Sequence, residues 1–97
     1  VFGIRHEADL AYVAERLTSM PPSPFTVPIE LRAGGTVGLR RTYVAAVAPV
    51  YEGLRHVAER IRADTGWRYE EIDAGHDMML DEPRALVARL LEFARDA

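Results

Sequence analysis

The run Thr42-Tyr43-Val44-Ala45-Ala46-Val47-Ala48 is continuous, apolar and closed by Pro49. No other stretch restricts the fold as much. Seven such residues without polar alternation mark a strand buried on both faces, and proline lacks the N–H needed to extend the ladder. A helical pattern follows, with Leu54, Val57, Ala58 and Ile61 on one side and Arg55, Glu59, Arg60 and Arg62 on the other. Asp64-Thr65-Gly66 ends that helix. Trp67-Arg68-Tyr69-Glu70-Glu71-Ile72-Asp73 then reads as a second strand, whose charged positions suit a sheet edge. A strand-helix-strand unit with so short a crossover implies parallel neighbours.

Two parallel strands do not make a stable sheet by themselves, because parallel sheets need both faces covered. The fold class expected is therefore α/β, with residues 40–97 forming the last β-α-β-α portion of a larger parallel sheet. Residues 1–24 are expected to be a helix and a proline-rich linker leading into it, so that residues 1–97 are one portion of a single domain. Leu10, Val13, Ala14 and Leu17 recur at helical spacing and predict a helix over residues 7–17. Pro21-Pro22-Ser23-Pro24 stops it and favours extended backbone. Beyond that the pattern is weak, with Ile29 and Leu31 suggesting a short extended piece and Gly34-Gly35 a turn. At the other end, Asp81 is expected as an N-cap with Glu82 and Pro83 in the first helical turn. Leu86, Leu90 and Phe93, flanked by Val87 and Leu91, form a wide apolar stripe.

Composition narrows the function classes. A chain of 97 residues holds one domain at most, and its core is modest. A net charge of -3 with interspersed signs offers no basic face for nucleic acid and no polybasic membrane patch. The absence of cysteine excludes disulfides, thiolate metal sites and a cysteine nucleophile. No apolar run approaches the roughly 20 residues that span a bilayer. The chain opens on Val rather than Met and carries no signal-peptide pattern. Residues are expected to precede it, and the cytoplasm is the expected compartment.

Three histidines are candidates for chemistry. His6 and His56 fall on or near exposed helix positions and read as surface residues. His76 lies in Ala74-Gly75-His76-Asp77-Met78-Met79-Leu80-Asp81-Glu82-Pro83, on a glycine-led turn between a strand and a helix. In α/β sheets ligands bind at the carboxyl ends of strands, where loops carry function. Histidine suits proton transfer because its pKa lies near working pH. The acidic residues Glu70, Glu71, Asp73, Asp77, Asp81 and Glu82 lack metal-ligand spacing with a second histidine, so neither a metal nor a cofactor is expected. They read as a solvated edge and helix cap.

Gly75-His76-Asp77-Met78-Met79, Glu82-Pro83 and the helix from Leu86 to Leu91 resemble the C-terminal end of the α/β-hydrolase superfamily. The likeness is to its small methylesterase and hydroxynitrile-lyase group, especially bacterial members. Arg41-Thr42-Tyr43-Val44 resembles that group's penultimate strand, Gly66-Trp67 and Glu71-Ile72-Asp73 its final strand, and Asp9-Leu10-Ala11-Tyr12-Val13-Ala14 its return from the cap. The resemblance implies that His76 is the base of a catalytic triad, acting on a small carboxylic ester or related acyl substrate. It also implies that the nucleophile lies outside the chain, since there is no Gly-x-Ser-x-Gly and both serines, Ser19 and Ser23, sit in or close to the proline-rich stretch. Many relatives carry an Asp after the penultimate strand where this chain has Ala48-Pro49-Val50-Tyr51. Glu52 is the nearest carboxylate and the candidate acid, with an acid upstream as the alternative; Asp77 reads as a turn residue. Met78 and Met79 are candidates to line an acyl pocket, although methionine also serves as core filler. A piece of this kind is expected to be incompetent alone and to require the N-terminal half of the same fold as its partner. Non-catalytic binding of a small ligand and lyase chemistry at the same histidine remain open.

Overall fold

The computed structural model describes residues 3–32 and 34–96; residues 1, 2, 33 and 97 of the expected portion lie outside the described residues. Two strands, β1 (Thr42–Ala46) and β2 (Arg68–Ile72), pair in parallel, with Thr42 opposite Arg68 and Ala46 opposite Ile72. They are joined by a 3-10 turn at Glu52–Leu54 and by helix α3 (Arg55–Ala63). The further helices are α1 (Glu7–Ala14), α2 (Ser23–Thr26), the single turn α4 (Met78–Asp81) and the C-terminal α5 (Pro83–Arg95). The architecture is mixed α/β with a two-stranded parallel sheet, and it fits a piece of a larger α/β sheet.

The alternation of strand side chains assigns the two faces. On one face Arg62 of α3 lies over the Tyr69 ring at 5.3 Å and 4.0 Å from the Glu71 carboxylate. On the other, Arg89 of α5 pairs with Glu70, and Arg68 lies over the Phe93 ring at 5.0 Å. Helix α3 therefore lies on one face and α5 on the other. The buried apolar core is Ala45, Ile61, Ile72 and Ala74. The Asp64 amide donates to the Ile61 carbonyl at the end of α3, and the Asp64 carboxylate accepts the Gly66 amide at 2.8 Å, which closes the turn into β2.

Several expectations need correction. The strand expected over residues 42–48 is shorter, and only Ala45 within it is buried; its neighbours are half-buried because β1 has a single strand partner among the described residues. The helix expected over residues 7–17 ends at Ala14 and buries none of its residues. The proline-rich segment is not simply extended. Pro24 sits in the first turn of α2 (Ser23–Thr26), where its missing N–H costs nothing. Ile29 and Leu31 belong to no strand and stay exposed. On α5, Leu86 and Phe93 are half-buried, while Val87, Leu90 and Leu91 of the apolar stripe face outward.

Candidate functional site

The two strands deliver their following loops to one place. Beyond the strands, the Val47 amide donates to the Ile72 carbonyl at 3.1 Å and the Ala48 amide to the Ala74 carbonyl at 3.0 Å. The loop after β1 thus runs alongside the loop after β2, and each carries one ring of a stacked pair. Tyr51 and His76 lie with ring centroids 4.3 Å apart and planes inclined by 19°. Tyr51 is exposed on its outer side, and His76 is half-buried.

His76 lines a groove of about 300 Å³ on the α3 face of the sheet. Its apolar walls include Tyr43, Val50, Tyr51, Leu54 and Met78, and the side chains of Arg55, Glu59, Arg62 and Glu71 add polar groups. The groove has room for a small organic molecule and includes an imidazole in its lining. Met78 lines this groove. Met79 is not on the groove and is 61% exposed, since the α4 turn carries it outward.

Glu52, the candidate acid, starts the 3-10 turn after Tyr51. Its two carboxylate oxygens accept from Arg55, Oε2 from Nε at 2.7 Å and Oε1 from Nη2 at 2.5 Å. Those hydrogen bonds hold the Glu52 carboxyl below the usual carboxylate range. The carboxylate stands beside the Tyr51–His76 stack in the chain but is engaged by a guanidinium that itself lines the groove.

Asp81 departs furthest from expectation. It is not an N-cap: α5 follows Glu82, neither α4 nor α5 has a side-chain cap hydrogen bond, and Asp81 closes α4. Its side chain is 0% exposed. Asp81 Oδ2 accepts the Gly75 amide at 2.8 Å and Arg5 Nε at 2.8 Å, and Oδ1 accepts the Arg5 amide at 3.4 Å. Burial alone would push this carboxyl up, but the Gly75 amide and the Arg5 guanidinium and amide outweigh it and hold the group below its ordinary value. His6, read from the sequence as a surface residue, brings Nε2 to 3.6 Å from Asp81 Oδ1 while remaining more than half exposed. His56 is exposed on α3, and Asp77 precedes α4 as a turn residue.

The rest of the acidic group is paired rather than simply solvated. Glu70 lies 2.6 Å from Arg68 and also meets Arg89, Glu71 accepts the Tyr69 hydroxyl at 3.2 Å, and Asp73 and Glu82 meet Arg5. Among the described residues no group of three or more His, Asp or Glu side chains is arranged to hold a metal ion, and no helix is long and apolar enough to cross a membrane. Sequence reasoning missed Arg5 and Tyr51. Tyr51 carried a signal, because it occupies the loop at the same strand ends as His76. Arg5 carried none, since its partners lie 68 to 77 positions away.

No protein-family model matches the chain, and no solved structure does. Among curated proteins the chain is similar to the carbendazim hydrolyzing esterase of Nocardioides sp. (strain SG-4G), with 27% identity over 79 residues. The matched region is 81% of this chain and 33% of that protein, so the chain spans about one third of the relative's length. A distant relative named an esterase is consistent with a hydrolase-like function.

Proposed function

We propose that this chain is the C-terminal piece of an α/β-hydrolase acting on a small carboxylic ester or related acyl compound, with His76 as its base. The observation that carries the reading is the half-buried His76 imidazole at the carboxyl end of a parallel strand, lining an apolar groove. The similarity to an esterase supports the same class. His76 takes the proton of a serine hydroxyl contributed from outside these 97 residues as the oxygen attacks the acyl carbon. It then gives that proton to the departing alcohol or amine. Water repeats the sequence on the acyl-enzyme and restores the serine. Met78 forms part of the acyl wall, and Met79 contributes only if a segment outside the chain folds over it. Glu52 is the candidate to orient His76, and to do so its carboxylate must leave Arg55.

The intact protein tests this directly. A fluorophosphonate probe labels its serine, and an activated ester is turned over. His76→Ala abolishes turnover by about 10³-fold or more while the protein stays folded. Unimpaired hydrolysis by the His76→Ala protein overturns the reading. A second reading, ligand binding without turnover, draws on the engagement of Glu52 by Arg55 and on Ala48-Pro49-Val50-Tyr51 standing where many relatives have an acid. Under it, the intact protein binds a small apolar ligand equally well with and without His76 and cleaves no activated ester. Labelling by the probe does not separate a hydrolase from a lyase, so the products decide: a split without net uptake of water points to a lyase.

A further inference from the structure

We propose that Arg5 and Asp81 are positioning residues for His76: the buried Asp81 carboxylate, gripped by Arg5, pins the Gly75 amide and so sets where the imidazole is presented. The proposal rests on the reading of His76 as the base. It begins with the backbone of the turn. Gly75 has no Cβ to restrict its φ, so a glycine immediately before a working side chain leaves that side chain poorly fixed unless something else holds the peptide. The Ala74 carbonyl side of this peptide accepts the Ala48 amide, and its N–H side is held by the 2.8 Å hydrogen bond from the Gly75 amide to Asp81 Oδ2, in a buried position. The bond closes a loop around His76, from the residue before it to the end of the turn after it.

Arg5 then fastens both sides of that loop to a third segment. Its Nε donates to Asp81 at 2.8 Å, and its Nη2 donates to the Asp73 carbonyl at 3.0 Å and to Glu82 Oε1 at 2.8 Å. One planar guanidinium thus joins the strand exit before His76 to the helical turn after it. A lysine, with a single ammonium, has no such fork. The segment bearing Arg5 is itself seated at the strand ends. A Cβ on Gly3, whose φ is +70°, would stand 2.7 Å from the Pro49 ring and 3.6 Å from the Gly75 Cα. Residues 3–5 therefore lie against the loops that follow both strands. Two ordinary explanations do not account for this arrangement. Asp81 is not capping a helix, and it is the one charged residue among the described residues that is buried. Its charge is spent on the peptide that leads into His76.

Two conservative variants of the intact protein test the role. Asp81→Asn keeps shape and an acceptor but removes the charge that holds Arg5. Arg5→Lys keeps the charge but loses the fork. Since a displacement near 1 Å in a reacting group costs about 10²-fold, Asp81→Asn is expected to lower kcat for an activated ester by about 10- to 100-fold. KM should stay within about twofold, and Arg5→Lys should fall between this variant and the parent. The His76 imidazole NMR signals, assigned by their loss in His76→Ala, should shift and broaden in both variants. Folded Asp81→Asn protein with parental kcat and unchanged imidazole signals overturns the proposal. If neither variant folds, the pair is a folding determinant and the positioning role is likewise overturned. Full activity in His76→Ala defeats the underlying reading instead; the imidazole signals would still report whether the clamp orders the turn.

Discussion

Residues 3–39 and residues 40–96 contain similar kinds of apolar side chain and do opposite things with them. In the second region Ala45, Ile61, Ile72 and Ala74 are buried, because a parallel pair and two helices give them surfaces to meet. In the first, Phe25 is 80% and Leu31 85% exposed, and no residue of α1 or α2 is buried. For residues 20–39 the difference lies in periodicity, whereas α1 has a helical repeat and meets no described surface that buries it. Pro21, Pro22, Pro24 and Pro28, then Gly34, Gly35 and Gly38, break residues 20–39 into pieces too short to present a face. Hydrophobicity without a repeating direction buries nothing locally. The exception in the N-terminal region is residues 3–6, which bind by charge and backbone rather than by apolar area.

The comparison can be attacked at its strongest point first. Ile72 is 3% exposed at the end of β2, and Ile72→Ala should cost the intact protein about 2–5 kcal/mol, read from urea unfolding. A loss below 1 kcal/mol would mean that the second region has no core in the sense argued.

The next test concerns the charge that links the regions. The Asp81 carboxyl lies below its ordinary value in the folded protein. Its contribution is therefore fully present above the unfolded value of about 3.9 and is lost as pH falls through the lower folded value. Replacing it by Asn should cost about 1–3 kcal/mol near neutral pH. That deficit should shrink as the parent is taken toward pH 3. Unfolding curves of both proteins at several acid pH values check the sign, and a deficit that grows on acidification would contradict it.

The smallest effect is expected in the first region. Ile29→Ser should change stability by no more than about 0.5 kcal/mol if the side chain is as open as it stands here. A loss of several kcal/mol in the intact protein would show that a surface outside these residues covers it, and the contrast between the regions would then belong to the piece rather than to the whole.

Much of the scaffold was legible. The apolar run before Pro49 and the helical spacing of Leu54, Val57, Ala58 and Ile61 both come from local periods that the backbone geometry imposes. So does the parallel pairing of the strands that flank them. The glycine-led turn placed His76 at a strand end, and the structure sets it beside a groove. What failed were claims about surroundings. The strand expected to be buried on both faces is half-buried, and Asp81, which has the composition of a cap, is a buried anchor.

By itself the sequence determined the order of the main elements and the position of His76 on a turn after a strand, because both depend on neighbours within a few positions. Only the tertiary structure decided that Tyr51 stacks on His76, that Arg55 engages Glu52 in preference to leaving it free, and that Arg5 reaches across 76 positions to Asp81. Such contacts have no period. They depend on where separate segments arrive in space, and a carboxylate has the same local sequence signature whether it caps a helix or anchors a turn.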